Sequence, residues 1–156
     1  MNENYLDVLA MLIRHELSIM QLYENFAIMF RVHEVFWQNL AADEKRHADW
    51  LKGLRSDSNA GEWLTSNIQL KPEAVKTSIE YVENQTARAK HGDLSSLQAL
   101  SIARDLESAL LERQFYKLKN SVPKEITPVL TNLTYETENH LKIITEMLAA
   151  ERKKGS

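Results

Sequence analysis

The chain has 156 residues, of which 44% are hydrophobic and 26% are charged, and its formal net charge is −3. This length and composition predict one globular domain, and the slight negative charge gives no support for a nucleic-acid partner. The sequence has no cysteine, which excludes disulfides, thiolate metal sites and a cysteine nucleophile. The absence of cysteine also fits a cytoplasmic protein. The first residues, MNENYLD, lack a basic start and an apolar core, and the longest apolar run is too short to span a bilayer, so we expect no signal peptide and no membrane segment.

Helical periodicity dominates the sequence, because glycine and proline are rare and the apolar residues recur every three or four positions. We predict a single all-α domain over 1–156 with helices at about 4–30, 32–54, 72–91, 94–119 and 124–151. A polar loop, RSDSNAGEW, follows the second helix. Pro72 suits a first helical turn and Gly92 suits a helix end.

Two helix starts are left open by the sequence. Either Asp93 or Ser95 is placed to cap the helix that carries the second half of the chain. Pro128 lies either in the first turn of the last helix or just before it.

Acidic residues and histidines interrupt the apolar stripes of four helices. The interruptions are Glu16 in the first helix, Glu44 and His47 in the second, Glu107 in the fourth and His140 in the last. Burying a carboxylate costs several kcal/mol unless it is protonated, paired or bound to a cation. A Glu and a His three positions apart lie about 60° apart around a helix, which is close enough to hold one ion together.

The two halves of the chain repeat this arrangement. Glu16 precedes His47 by 31 residues, and Glu107 precedes His140 by 33. Each half reads as a helical hairpin, and the roughly forty residues between the hairpins suit a crossover along a four-helix bundle. Glutamates and histidines contributed by four facing helices form the dimetal carboxylate sites of such bundles, and these ligands suit iron, manganese or zinc.

Four segments resemble the rubrerythrin-like branch of the ferritin-like superfamily: HELSIMQLYENFA, LAADEKRHADWL, ALSIARDLESALLE and LTNLTYETENHLKII. The resemblance covers nearly all of the chain. It implies an up-down-down-up ferritin-like bundle whose long crossover contains an extra helix. It also implies that Glu16 and His47 are terminal ligands of one metal ion, that Glu107 and His140 are terminal ligands of a second, and that Glu44 bridges the two.

The sequence departs from the family motif in the last helix. The motif has a glutamate three residues before the histidine, where this chain has Thr137. A neutral hydroxyl is a poor bridge between two dications. Glu136 could swing in from the edge of the stripe as a ligand, whereas Glu138 is expected to face solvent. A bundle that has lost its metal and keeps a hydrogen-bonded Glu/His network is therefore the structural alternative.

The resemblance implies one or two iron ions that react with peroxide or dioxygen, with no catalytic residue assigned. The sequence has no rubredoxin-type cysteine domain, so the electron donor would be a separate protein. Tyr23 is expected to pack in the core rather than take part in redox chemistry. We expect a homodimer, to which Trp37, Trp50 and Trp63 could contribute an apolar patch. The functional alternative is a non-catalytic metal-binding or interaction module.

Overall fold

The computed structural model describes residues 3–67, 71–113 and 122–154, and all regular structure in these ranges is helical. The all-α prediction is therefore confirmed. The elements are α1 (Glu3–Met29), the 3-10 turn η1 (Arg31–His33), α2 (Glu34–Ser56), α3 (Ser58–Asn67), α4 (Pro72–Lys90), α5 (Ser96–Arg113) and α6 (Thr127–Lys154). Within the described ranges, none of these helices combines the length and the apolar character needed to cross a bilayer.

The segment after α2 differs from the polar loop expected there, because most of it forms α3. Asp57 Oδ1 accepts hydrogen bonds from the backbone N–H groups of Asn59 and Ala60, at 3.0 and 3.2 Å. These bonds satisfy free donors at the start of α3. Ala60 and Leu64 are buried against α1 and α2. Two apolar residues one turn apart are enough to bury one face of a short helix, and the polar composition of the segment concealed them.

Proline and glycine mark the two ends of α4, and a proline marks the start of α6. Pro72 is the first residue of α4, and Pro128 lies in the first turn of α6. Gly92 adopts a φ of +75°, and the N–H of Asp93 donates to the carbonyl of Arg88 at 3.0 Å. This is the Schellman ending, in which a left-handed residue closes the helix, and glycine adopts that conformation at little cost.

Ser95, rather than Asp93, caps α5. Its Oγ accepts a hydrogen bond from the backbone N–H of Gln98 at 3.1 Å, and Gln98 Oε1 accepts one from the N–H of Ser95 at 2.9 Å. This reciprocal pair is a capping box and fixes the first turn of the helix. The sequence predicts that α5 extends to 119, and that end lies outside the described residues, which stop at 113.

The helices pack as two pairs around a layered core. α1 packs along α2 and also contacts α4, α5 packs along α6, and α2 touches α6. One apolar cluster includes Ile19 and Ile144, and the other includes Ile13 and Leu133. Because these residues flank Glu16 and His140 along α1 and α6, the two clusters lie on either side of a polar layer.

Trp37 lies inside the core, so the expectation that it contributes to a surface patch is wrong. It is fully buried, and its ring centroid lies 4.8 Å from that of Phe26 and 5.4 Å from that of Tyr23. The physical reason is register, since Trp37 lies one turn before Leu40 on the buried stripe of α2.

Candidate metal centre

Five polar side chains from four helices meet in the layer between the two apolar clusters. They are all at least nine-tenths buried: Glu16 of α1, Glu44 and His47 of α2, Glu107 of α5 and His140 of α6. The stripe periodicity explains this placement, because each residue occupies a position that would otherwise hold a core aliphatic side chain. The structure thus brings together five of the six residues that the sequence nominates as metal ligands.

The first half of the centre is formed by α1 and α2. Glu16, Glu44 and His47 each offer one ligand atom, and these atoms lie within 4.8 Å of one another. His47 Nδ1 is 3.4 Å from Glu44 Oε2 and 3.9 Å from Glu16 Oε2. Two oxygens and one nitrogen therefore surround a common point.

The second half uses the other oxygen of the same glutamate. Glu44, Glu107 and His140 form a further group with ligand atoms within 4.8 Å of one another. His140 Nδ1 is 3.2 Å from Glu44 Oε1 and 3.3 Å from Glu107 Oε1. Glu44 therefore directs one oxygen toward each histidine, which is the placement that a bridging carboxylate requires.

Several buried atoms of the centre have no hydrogen-bond partner. They are Glu16 Oε2, both carboxylate oxygens of Glu44, Glu107 Oε1 and His140 Nδ1. The closest approaches among them are ion-pair contacts, in which His140 Nδ1 lies 3.2 Å from Glu44 Oε1 and 3.3 Å from Glu107 Oε1. More than nine in ten buried polar groups in proteins have a partner, and each exception costs about 1–3 kcal/mol. A cation between these atoms would satisfy them together, so the donor set fits a metal ion.

The outer nitrogen of each histidine contacts a second carboxylate. His47 Nε2 lies 2.9 Å from Glu136 Oε1, and His140 Nε2 lies 2.9 Å from Asp43 Oδ2. Arg46 joins the two carboxylates, since its Nη2 donates to Asp43 Oδ1 at 2.9 Å and to Glu136 Oε1 at 2.6 Å. A carboxylate behind an imidazole fixes the ring and holds the proton on the outer nitrogen. With the proton held on the outer nitrogen, Nδ1 is the atom of each ring that would bind an ion in the centre.

Glu136 lies in this outer layer and not among the inner five ligands. Together with Asp43 and His140 it forms a third group of possible ligands within 4.8 Å. Its Oε1 is already engaged by Arg46 and His47. We therefore assign this group to the support of the histidines rather than to a separate ion.

Tyr23 supports Glu107 in the same manner. Its buried hydroxyl donates to Glu107 Oε2 at 2.7 Å, which leaves Oε1 directed at the centre. Burial first, and then the negative charge of Glu107, raise the pKa of Tyr23 well above its usual range. Tyr23 therefore packs in the core, as the sequence predicts, and also orients a candidate ligand, which the sequence did not reveal.

Thr137 is buried at the position where the resemblance noted in the sequence implies a second bridging glutamate. Its Oγ1 donates to the carbonyl of Leu133 in its own helix, at 2.7 Å. The hydroxyl proton is thus used within α6. Glu138 is exposed, as expected. The inner layer consequently holds three carboxylates rather than four.

In the absence of metal, burial and neighbouring charges shift the pKa values of the carboxyl and imidazole groups of the centre. Burial raises the pKa of Glu16 well above its usual range, with the charge of Glu44 adding to the effect, and it also raises the pKa of Glu44. Burial alone would lower the pKa of His140, but Glu107 and Glu44 raise it to about 12. Burial would raise the pKa of Glu107, yet contact with His140 and Tyr23 leaves it below normal. A proton on His140 therefore offsets part of the negative charge of the carboxylates, and burial favours the protonated form of Glu16.

No family model, no curated protein and no solved structure matches this chain. The assignment of a function therefore depends on the ligands, charges and hydrogen bonds of the centre itself. These comprise three buried carboxylates and two buried imidazoles that converge from four helices.

Proposed function

We propose that this chain is a ferritin-like bundle of the rubrerythrin type that binds one or two divalent transition-metal ions, iron first among them. The observation that carries the proposal is the group of buried, unpartnered ligand atoms on Glu16, Glu44, Glu107 and His140. Carboxylate and imidazole ligands suit iron, manganese or zinc, and a chain without cysteine offers no thiolate to softer metals.

The proposed ligand roles follow the two groups around Glu44. Glu16 and His47 would hold one ion, Glu107 and His140 would hold the second, and Glu44 would bridge them. Two dications about 4 Å apart repel each other strongly, and a shared carboxylate offsets this repulsion. The placement of one Glu44 oxygen near each histidine supports this assignment.

Bound ferrous iron would supply electrons to peroxide or dioxygen, one electron from each ion. The residues of the chain prepare the site for this chemistry. Asp43 and Glu136 keep the outer nitrogens of the histidines engaged, and Tyr23 orients Glu107. The apolar clusters on both sides exclude water from the layer. A separate protein would return the electrons.

A second candidate function is a non-catalytic module that binds one metal ion. Thr137 favours it, because a threonine supplies neither the negative charge nor the two oxygens of a bridging glutamate. The ion held by Glu107 and His140 would then bind more weakly than the ion held by Glu16 and His47. A single ferrous ion that is oxidised to the ferric state would supply only one of the two electrons that reduce peroxide to water.

The two functions are separated by loading the protein with ferrous iron without oxygen and adding one equivalent of peroxide. If the chain is an enzyme, two ferrous ions per chain should be oxidised faster than ferrous iron free in solution. The change in absorbance measures the oxidation. Glu44→Ala should abolish the reaction, whereas Glu138→Ala, an exposed glutamate of α6, should leave it unchanged. Wild-type protein that reacts no faster than Glu44→Ala would favour the module.

We also propose that the chain forms a homodimer. Trp37 is unavailable for the interface, whereas Trp50 and Trp63 are half-buried at the surface. The Trp50 ring stacks on His47 with centroids 5.4 Å apart, so an interface there would cover the outer side of the centre. Light scattering should give twice the 18.0 kDa mass of the chain, and the mass of one chain would contradict the proposal.

A further inference from the structure

Exposed aliphatic side chains cluster at the corner where α1 turns into α2. Val32 of η1 is 85% exposed, Val35 is 68% exposed and Ile28 is 61% exposed, and Met29 beside them is 38% exposed. A single exposed aliphatic residue is ordinary, but several at one corner indicate an interaction surface. We call these four residues the aliphatic corner.

The aliphatic corner is held in place by its neighbours. Phe30 and Phe36, from the same stretch of chain, turn inward and pack against the buried core. His33 Nε2 lies 2.8 Å from Glu151 Oε1 and so ties η1 to α6. Since the aromatic residues and His33 fix the turn, the valines cannot fold back into the protein and remain directed outward.

Basic residues occur on the three segments that meet at the aliphatic corner. The Cε of Met29 lies 3.8 Å from the position of a Cβ at Gly92, so the end of α4 meets the corner, and the contact of His33 with Glu151 brings the end of α6 there. We define the basic rim as the lysines and arginines of η1 and of the last turns of α4 and α6. They are Arg31, Arg88, Lys90, Arg152, Lys153 and Lys154.

The carboxylates at this end are fewer than the cations of the basic rim. Glu34 pairs with Arg31, and Glu151 contacts His33 and Lys154. The others are Asp93, which follows α4, and Asp105 of α5, which lines a surface pocket together with Arg88 and Arg152. The chain as a whole carries a net charge of −3, so the remainder of the molecule is acidic. The charge is therefore divided between one basic end and an acidic body.

We propose that this end of the molecule docks on the surface of an anionic lipid bilayer. The aliphatic corner would insert among the headgroups, and the basic rim would contact the lipid phosphates. The acidic body would be repelled from the same surface and would orient the molecule. The sequence alone predicts no membrane partner, and this surface combines residues from three separate segments of the chain.

Two other occupants fit the corner less well. A second copy of the chain, paired through the same corner by two-fold symmetry, would bring one basic rim against another. A protein partner usually accepts protruding side chains in a shaped pocket, and such recognition needs no ring of cations. The aliphatic corner protrudes from a tight turn, which suits a deformable headgroup layer.

Vesicle co-sedimentation of the full chain tests the proposal. Vesicles of phosphatidylcholine are compared with vesicles in which about one third of the lipid is phosphatidylglycerol, at low and at physiological salt. We expect binding only to the anionic vesicles, and weaker binding as salt increases. Val32→Asp/Val35→Asp should reduce the binding by at least about tenfold. Lys153→Ala/Lys154→Ala should reduce it by about fivefold for each cation removed.

Matched variants elsewhere on the surface serve as controls. Thr131→Asp/Tyr135→Asp introduces the same two charges at exposed positions of α6, where Tyr135 is 72% exposed. Lys45→Ala/Lys52→Ala removes two exposed lysines of α2. Both controls should bind anionic vesicles as the wild type does.

Three results would overturn the proposal. The first is the absence of wild-type binding to anionic vesicles at low salt. The second is equal binding to neutral and anionic vesicles. The third is a wild-type protein that is dimeric by light scattering and binds no vesicles, while Val32→Asp/Val35→Asp is monomeric. That result would make the aliphatic corner a contact between two copies of the chain.

Discussion

At the scale of single residues, the proposed centre depends on Glu44. Among the inner carboxylates, Glu44 alone directs its two oxygens at different histidines, with Oε2 near His47 and Oε1 near His140. Glu16 faces only the first half of the centre and Glu107 only the second. One glutamate thus provides the shared ligand of both halves, and the residue expected to assist it, at position 137, is a threonine.

Thr137→Glu should tighten the binding of the second ion. The new carboxylate supplies the missing charge and two oxygen donors, so the dissociation constant of that ion should fall by at least about tenfold. Without metal the variant should be less stable by several kcal/mol, since it buries another carboxylate. A metal titration followed by calorimetry measures both ions.

The control for Thr137→Glu is Thr131→Glu, which makes the same substitution at an exposed position of α6. It should leave both dissociation constants unchanged. If Thr137→Glu binds the second ion no more tightly than wild-type protein, the account of the bridging position is wrong.

Glu136→Ala should weaken the binding of metal without removing a ligand. Its carboxylate supports His47 through Nε2, and loss of such support typically costs 10–100-fold in metal affinity. The number of ions per chain should stay the same at saturating metal. Glu136→Gln retains an oxygen acceptor for the histidine and should recover part of the affinity. Complete loss of binding, as expected for Glu44→Ala, would show that Glu136 swings in as a direct ligand.

Metal binding should release protons and tighten as the pH rises. His140, with a pKa of about 12, holds a proton at neutral pH, and burial raises the pKa of Glu16 well above its usual range, which favours its protonated form. An incoming ion must displace these protons, so a lower pH favours the metal-free form. Calorimetry in two buffers of different ionisation enthalpy counts the protons released. Metal affinity that does not change between about pH 6 and pH 8 would contradict this description.

At the scale of helices, α5 positions Glu107 and begins at the capping box of Ser95 and Gln98. Ser95→Ala removes one of the two reciprocal hydrogen bonds and should lower the free energy of unfolding by about 1 kcal/mol. Urea denaturation measures the loss as a lower midpoint with an unchanged slope.

The control for the cap is Thr77→Ala, which removes a hydroxyl at an exposed site within α4. This variant should not lower the free energy of unfolding, because alanine favours a helix interior more than threonine does. Equal losses of stability in Ser95→Ala and Thr77→Ala would argue against the cap.

Helical periodicity predicts the inner layer of the centre from the sequence. A residue that continues a stripe spaced by three and four positions must face the same side as its aliphatic neighbours, whatever its own polarity. Glu16, Glu44 and His140 are recognisable for this reason, and so is the burial of Thr137. The same rule places Trp37 in the core, one turn before Leu40, and not in the expected surface patch.

The outer layer of the centre could not be predicted from the sequence. Asp43 and His140 are 97 positions apart, and Glu136 and His47 are 89 positions apart. Their contacts depend on the rotation and spacing of α2 and α6, which a repeat pattern does not encode. Only the proximity of Asp43 to Glu44 in the stretch DEKRH offered a signal, and charged neighbours are common on helices.

At the scale of the whole molecule, the centre lies where the helical pairs α1/α2 and α5/α6 meet. Apolar clusters cover it on both sides, and every proposed ligand comes from one of these four helices. A metal ion bound there would connect the two pairs through its ligands. Binding to the folded state alone stabilises a protein, so the metal would contribute to the stability of the whole molecule.

The most direct test of the central claim is the metal content of the protein purified without a nickel column and then loaded with ferrous iron. We predict that elemental analysis finds one tightly held ion per chain and a second, more weakly held ion. Glu44→Ala should lose both, whereas Glu138→Ala should keep both. Wild-type protein that retains no metal, or Glu44→Ala protein that retains as much as the wild type, would contradict the assignment of a metal centre bridged by Glu44.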